Sequence, residues 1–350
     1  MAAAAGFMLA LAPFAPVPAV AGPGVAGANV LKIPTDARGW GIGMAYSAIA
    51  DDVGAMAYNP AGLSQLSDRE FRFTYQNIVE AVSRQALMGA CPLGRWGTAG
   101  MTYVYQGSPT IQNGGDEYHP FEGSPHGVDV SESMFGVFYG TRFSHLLPGV
   151  RVVSPLSVGL GLKRVAMQID RFTASTVALD LGVLFSADLL RGAIVLQNIG
   201  GGYAFPGTIE AESDPLPQML RLAVAVVPYE DASGSLTIAL ENAQYIGVST
   251  SQKYADGGVR TARESLGVIC LGLEYWRLKR MAVRIGYVSP YGDTVAGGSQ
   301  SWATIRGLAL GGTFHIYSGA LAYEFDMAYH PMTFGTLRED AFSLSLGFRF

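Results

Sequence analysis

The last ten residues, Ala341-Phe-Ser-Leu-Ser-Leu-Gly-Phe-Arg-Phe350, restrict the fold more than any other stretch. Side chains alternate across a strand with period two. Phe342, Leu344, Leu346, Phe348 and Phe350 therefore share one face, and Ala341, Ser343, Ser345, Gly347 and Arg349 share the other. One face is apolar and aromatic; the other is small and polar. Two classes fit. One is the last core strand of a soluble β-protein. The other is the closing strand of a transmembrane β-barrel, where lipid-facing and lumen-facing residues alternate.

Composition moves the balance. The chain has 350 residues, of which 49% are hydrophobic and 15% charged, whereas about a quarter of a soluble domain is charged. Mean hydropathy is +0.25. Beyond the N-terminal segment, no run reaches the ~18 apolar residues of a spanning helix. Charges and turn residues interrupt each stretch, as in Leu220-Arg-Leu-Ala-Val-Ala-Val-Val-Pro228. A closed barrel is then the economical membrane solution, because closure satisfies every backbone polar group. The net charge of −5 and the lack of a basic cluster argue against nucleic acid as a partner.

Residues 1–21 read as a secretory signal peptide. Phe7-Met-Leu-Ala-Leu11 supplies an apolar core, and Ala19-Val-Ala21 before Gly22 matches a small-residue cleavage site. Pro13, Pro16, Pro18 and Pro23 make the stretch a poor membrane helix. Cys91 and Cys270 fall in separate expected strands and do not define a disulfide framework. No His/Cys spacing suits zinc, and neither metal nor cofactor is expected.

From residue 69 onward, alternating segments bounded by Gly, Pro, Asn and Asp predict about fourteen strands, so the fold class is an all-β, antiparallel transmembrane barrel. Most segments match the ~9–11 residues that cross a bilayer at a tilt. Met281, Val283, Ile285 and Tyr287 oppose Ala282, Arg284 and Gly286. Leu321, Tyr323, Phe325 and Met327 oppose Ala322, Glu324 and Asp326. Charges on the second face imply a polar lumen crowded with small residues. Long connections (107–130, 200–216, 244–263, 290–302 and 331–339) fall at one end, and short turns such as Pro92-Leu-Gly94 fall at the other. Outer-membrane barrels have this asymmetry, with the long loops outside.

Residues 33–66 do not read as wall strands. Asp51 or Asp52 is placed to cap a short helix over 53–58, and Asn59-Pro60 stops it. The Ala and Gly residues allow close packing against a wall. Gly39-Trp-Gly-Ile-Gly43 suggests a phosphate cradle only weakly, because it lacks a βαβ setting.

Three stretches here, Ala37-Arg-Gly-Trp-Gly-Ile-Gly-Met44, Ala50-Asp-Asp52 and Tyr58-Asn-Pro-Ala-Gly-Leu63, resemble the N-terminal signature of the PorV/PorQ family. These are FadL-like outer-membrane barrels, several of which serve type IX protein secretion. The likeness continues through Leu196-Gln-Asn-Ile-Gly200, Leu216-Pro217 with Arg221, Leu271-Gly-Leu-Glu-Tyr275 and Arg284-Ile-Gly-Tyr287. It implies a barrel over 69–350 with residues 29–66 folded inward as a plug. Asp51, Asp52, Tyr58, Asn59, Pro60, Ala61, Gly62 and Leu63 would shape that plug. The closing strand, with Phe342, Leu344, Leu346, Phe348 and Phe350, resembles the signal read by the bacterial barrel-assembly machinery.

The resemblance implies a protein-export adaptor that binds the C-terminal signal domains of secreted cargo and works with a translocon. Tyr118, His119, Phe121, Tyr203, Phe205 and Tyr254 in the long loops are the candidate extracellular recognition residues, or equally a membrane-interface belt. The alternative is FadL-like passive transport of hydrophobic small molecules. Outer-membrane lipid and lipopolysaccharide would surround either. The five His residues are scattered, His315 and Ser318 have no acidic partner at an obvious sequence spacing, and Gly-x-Ser-x-Gly is absent as a nucleophile elbow, so an enzyme is not expected. Deleting Phe350 should lower the amount of barrel in the outer membrane and leave the function of whatever inserts unchanged; quantitative membrane fractionation checks this.

Overall fold

The computed structural model describes residues 27–79, 82–108, 129–146, 155–203, 215–246, 250–253, 259–262, 267–291, 304–334 and 337–350. The proposed signal peptide lies outside these residues. Fifteen segments form one antiparallel sheet, and Thr304–Ile305 is a two-residue extension beside a longer strand. That leaves fourteen wall strands. They are β1 (Glu70–Val79), β2 (Val82–Pro92), β3 (Thr98–Gly107), β4 (Val130–Arg142), β5 (Leu156–Ile169), β6 (Phe172–Ser186) and β7 (Leu190–Gly200). The second half comprises β8 (Met219–Glu230), β9 (Gly234–Tyr245), β10 (Gly267–Arg277), β11 (Met281–Tyr291), β12 (Gly307–Ser318), β13 (Leu321–Phe334) and β14 (Leu337–Arg349).

Each strand pairs with its sequence neighbours, and β14 returns to pair with β1 from Glu70↔Arg349 to Asn77↔Phe342. Phe350 and Arg69 extend this seam by exchanging both backbone hydrogen bonds at 3.1 Å. The sheet is a closed barrel, the fold class that the alternation predicts.

Burial is inverted relative to a soluble protein. Val283 and Met327 are about 60% exposed, and Phe342 and Leu344 more than half, while Arg72, Arg84 and Arg284 are 1% exposed and Asp180 and Glu241 fully buried. Soluble proteins almost never bury so many charges while exposing large apolar side chains. Lipid outside and a filled polar lumen inside account for both halves of the pattern. Among the described residues no helix is long and apolar enough to cross a membrane.

The connections keep the expected asymmetry with one correction. Residues 108–129, 201–218, 246–266 and 292–306 separate wall strands at one end; the 246–266 connection includes a small hairpin, Thr250–Lys253 with Val259–Ala262. At the other end, turns as short as 187–189, 231–233 and 278–280 suffice. Asp231 closes one of them, and hydrogen bonds from Ser233 and Tyr229 hold its carboxyl down to about 2. The long loop expected over 331–339 does not exist: β13 and β14 stay paired up to Phe334↔Leu337. Pro331 suggests a break, but it lies beyond the last β12–β13 pair, Leu310↔Tyr329, and before Met332↔Ile305. Proline is tolerated where a ladder is interrupted.

Placing Arg at Ile285, which faces lipid midway along β11, should destabilise the barrel by roughly 2–4 kcal/mol. A loss of the heat-modifiable folded band on gels would register it.

Candidate functional site, a plug locked into the barrel wall

Residues 28–66 fill the lumen, and most are buried. Asp36 caps the first short helix, α1 (Ala37–Gly41), by accepting from Gly39 N. Its Ala37 N–H donates to Ser345 Oγ on β14 at 3.1 Å. The glycines that follow serve packing. A Cβ on Gly41 would stand 2.7 Å from Gly311 Cα. Gly43 has φ +65° and lies against β11, where a Cβ would meet Tyr287 N at 2.7 Å. Gly41 and Gly43 of the Gly-x-Gly-x-Gly run are therefore close backbone-to-wall contacts, whereas Gly39 makes room for the Tyr58 ring within the plug.

A second helix, α2, spans only Ala55–Tyr58, and Gly54 occupies its cap position. Asp52 still accepts from Gly54 N at 2.7 Å, but its other oxygen serves the wall. Helix capping is thus the lesser part of its role. Asn59 ends α2 in extended backbone and caps the following 3-10 turn, Pro60–Gln65, through Ala61 N. Its amide donates to Ser47 O at 3.0 Å and to Val183 O of β6 at 3.3 Å. Pro60 and Ala61 press on Gly140, Gly159 and Gly182, where wall side chains are absent, and Gly62 meets Ala50. Leu63 is fully buried, and Tyr58 packs edge-on against Tyr46 beneath the Arg221 guanidinium.

Charge ties this plug to the wall. Arg38 grips Glu274 of β10 with two hydrogen bonds, at 2.8 and 2.9 Å, and also reaches Asp51, Asp52 and Tyr46. Arg72 of β1 holds Asp36 and Asp52, each at 2.9 Å, and Glu324 of β13. Arg349 and His315 also bind Glu324, at 2.7 and 2.9 Å. Arg284 joins Glu274 to Thr313 and Asp326. On the other side, Ser47 binds Glu241 through both N–H and hydroxyl at 2.9 Å, and Arg221 closes on the same carboxylate at 2.6 Å. A forked guanidinium suits such multiple carboxylate contacts. Unpaired, each charge would be costly at this depth.

Several expectations change in three dimensions. Asp51 is only partly buried and bridges Arg38 to Arg191 of β7. Tyr203 is 1% exposed and packs with Ala28, Val30 and Leu216, so it presents no recognition surface. Tyr118, His119, Phe121, Phe205 and Tyr254 lie outside the described residues. His315 does have an acidic partner, because the β12–β13 register sets it opposite Glu324. Sequence reasoning gave Asp36 and Arg72 no role. A polar residue just before a helix, and an Arg between Phe71 and Phe73, were the available signals.

Two cavities flank the plug. One, of about 270 Å³, lies toward the short turns and is polar, with Arg38, Asp51, Arg191, Glu230, Lys279 and Trp276 among its lining. The other, of about 30 Å³, lies under residues 30–35. Met56, Met88 and Met134 give it apolar walls, and Lys163, Asn198 and Arg221 give it polar ones.

The fold is a closed, fourteen-stranded antiparallel barrel with the N-terminal segment inside it. No protein-family model matches the chain, and no curated protein matches its sequence. Among solved structures, a Pseudomonas aeruginosa FadL homologue has a TM-score of 0.55 at 12% identity, over 90% of this chain and 98% of its own. The Ralstonia pickettii toluene transporter TbuX has a TM-score of 0.53 at 13% identity, covering 90% and 97%. A deltaS2S3 mutant of the monoaromatic hydrocarbon channel TodX has a TM-score of 0.57 at 12% identity, also covering 90% and 97%. At this identity the likeness establishes a shared fold.

Arg72→Met should destabilise the folded barrel by about 3–5 kcal/mol, because it leaves buried carboxylates uncompensated. Adding Asp36→Asn should recover part of the loss. Denaturant unfolding of the four members of this double-mutant cycle measures the coupling.

Proposed function

We propose that this chain is a FadL-type outer-membrane barrel that passes hydrophobic small molecules, with the N-terminal plug controlling the path. The supporting observation is a wall of the same fold as the toluene and monoaromatic hydrocarbon transporters, matched over nearly their whole length. The methionine-walled cavity agrees with it, since ligand sites combine apolar walls with a few convergent polar groups, and methionine adapts to irregular guests. At about 30 Å³ the cavity holds roughly one water. Passage of a hydrocarbon therefore requires residues 30–35 to move aside. Neither catalysis nor a cofactor enters this reading. Outer-membrane lipid and lipopolysaccharide surround the wall, and the barrel-assembly machinery reads the closing strand.

Export of the PorV/PorQ kind is the second reading. It rests on the plug signature and on a lumen closed by buried ion pairs, which suits a barrel that need not conduct. It requires cargo signal domains to bind the long loops.

Uptake of labelled toluene by cells carrying or lacking the gene separates the two. Deletion should slow uptake several-fold, and widening the cavity with Met134→Ala should alter the rate in intact barrels. Unchanged uptake, together with loss of surface-attached proteins, would move the assignment to export.

A further inference from the structure

The β1–β14 seam is the one wall pairing not made between strands consecutive in the chain. Its partners are far apart, with Thr74 and Ser345 separated by 271 residues. Its ladder of eight residue pairs is no longer than those of β6–β7, β7–β8 and β11–β12, whose strands are joined by the chain itself or follow one another in it. Bringing such distant segments together is entropically costly and slow. A device that holds one edge ready for the other would ease the step.

The plug has the contacts of such a device. Four rows of the seam point inward, and the plug touches each. In Glu70↔Arg349, Glu70 accepts from Val53 N of the plug at 2.8 Å and also faces Arg349. In Arg72↔Gly347, Arg72 takes Asp36 and Asp52 from the plug, then crosses the bare Gly347 to reach Glu324. A Cβ at Gly347 would crowd that route, standing 3.2 Å from Glu324 Cβ. In Thr74↔Ser345, the two hydroxyls bond at 2.8 Å while Ser345 accepts from Ala37 N. In Gln76↔Ser343, the Gln76 amide bonds both Ser343 Oγ and Pro34 O of the plug.

The plug also pairs with Glu274 of β10, Arg191 of β7 and Glu241 of β9, but the β1–β14 seam is where it touches every inward row. Against β5 and β6 the plug packs chiefly on glycines, with hydroxyl and backbone hydrogen bonds and no ion pair among the described residues. The plug also ends just before Glu70, so it can dock on β1 through local sequence. We propose that the plug is the template on which the barrel closes. Docked on β1, it fixes the inward row of polar side chains that captures β14 in register.

Hydrogen exchange on the full-length chain tests this. During refolding into detergent micelles, pulse labelling should show amides of 36–58 protected before or together with those of 70–77 and 342–349. Seam amides protected ahead of the plug would overturn the order. In the folded Asp36→Asn/Asp52→Asn variant, exchange in the seam should rise at least about tenfold while β5–β6 stays within about twofold. Asn59→Ala, which loosens the plug beside β6, should leave the seam protected. Equal loss of protection around the whole barrel, or no loss at the seam, refutes the template. If the double variant does not insert, Ser345→Ala and Gln76→Leu each remove a plug-to-seam bond more gently. Folded forms of these with wild-type seam protection refute the proposal equally. None of these readouts depends on what the barrel transports.

Discussion

Unsatisfied backbone polar groups are intolerable in hydrocarbon, and the rest of this structure depends on that constraint. A sheet with an open edge would expose a row of N–H and C=O groups to lipid. Pairing β14 with β1 removes the edge. Closure also creates an interior where alternation directs every second residue. That interior must be filled with polar partners, occupied by water or packed shut.

In this chain the N-terminal segment fills it, and charge decides how. The wall directs Arg72, Arg191 and Glu274 inward, and the plug supplies Asp36 and Asp52 to Arg72, Asp51 to Arg191 and Arg38 to Glu274, while Arg284, Glu324 and Asp326 pair within the wall around them. Such pairs contribute little net stability over well-packed apolar residues, but breaking one is costly. Their main consequence is a single docked geometry, reinforced where Gly41, Gly43, Gly286 and Gly311 allow backbone to meet backbone. Beside this locked region, residues 30–35 meet the wall through hydrogen bonds to Glu132, Arg84 and Gln76 and through apolar packing of Val30 and Ile33.

Legibility in the sequence followed periodicity. Alternating segments located all fourteen strands, and the two faces of β11, β13 and β14, because lipid and lumen select opposite chemistry at a period of two. The expected 331–339 loop failed, because β13 and β14 stay paired past Pro331 up to Phe334↔Leu337. Asp52 looked like a helix cap and does accept from Gly54, but two guanidiniums compete for its other oxygen. Tyr203 looked like a loop aromatic and is buried instead, packed with Val30 of the plug and Leu216.

The sequence by itself determined the membrane-facing wall, the number of strands and the seam. Each of these rests on local pattern, read one residue at a time. Only the tertiary structure decided which charges meet. Arg72 binds Asp36, Asp52 and Glu324, three residues scattered over most of the chain, and reaches the last by passing over Gly347. That pairing depends on barrel register and on where the plug docks, and neither is encoded within any single segment.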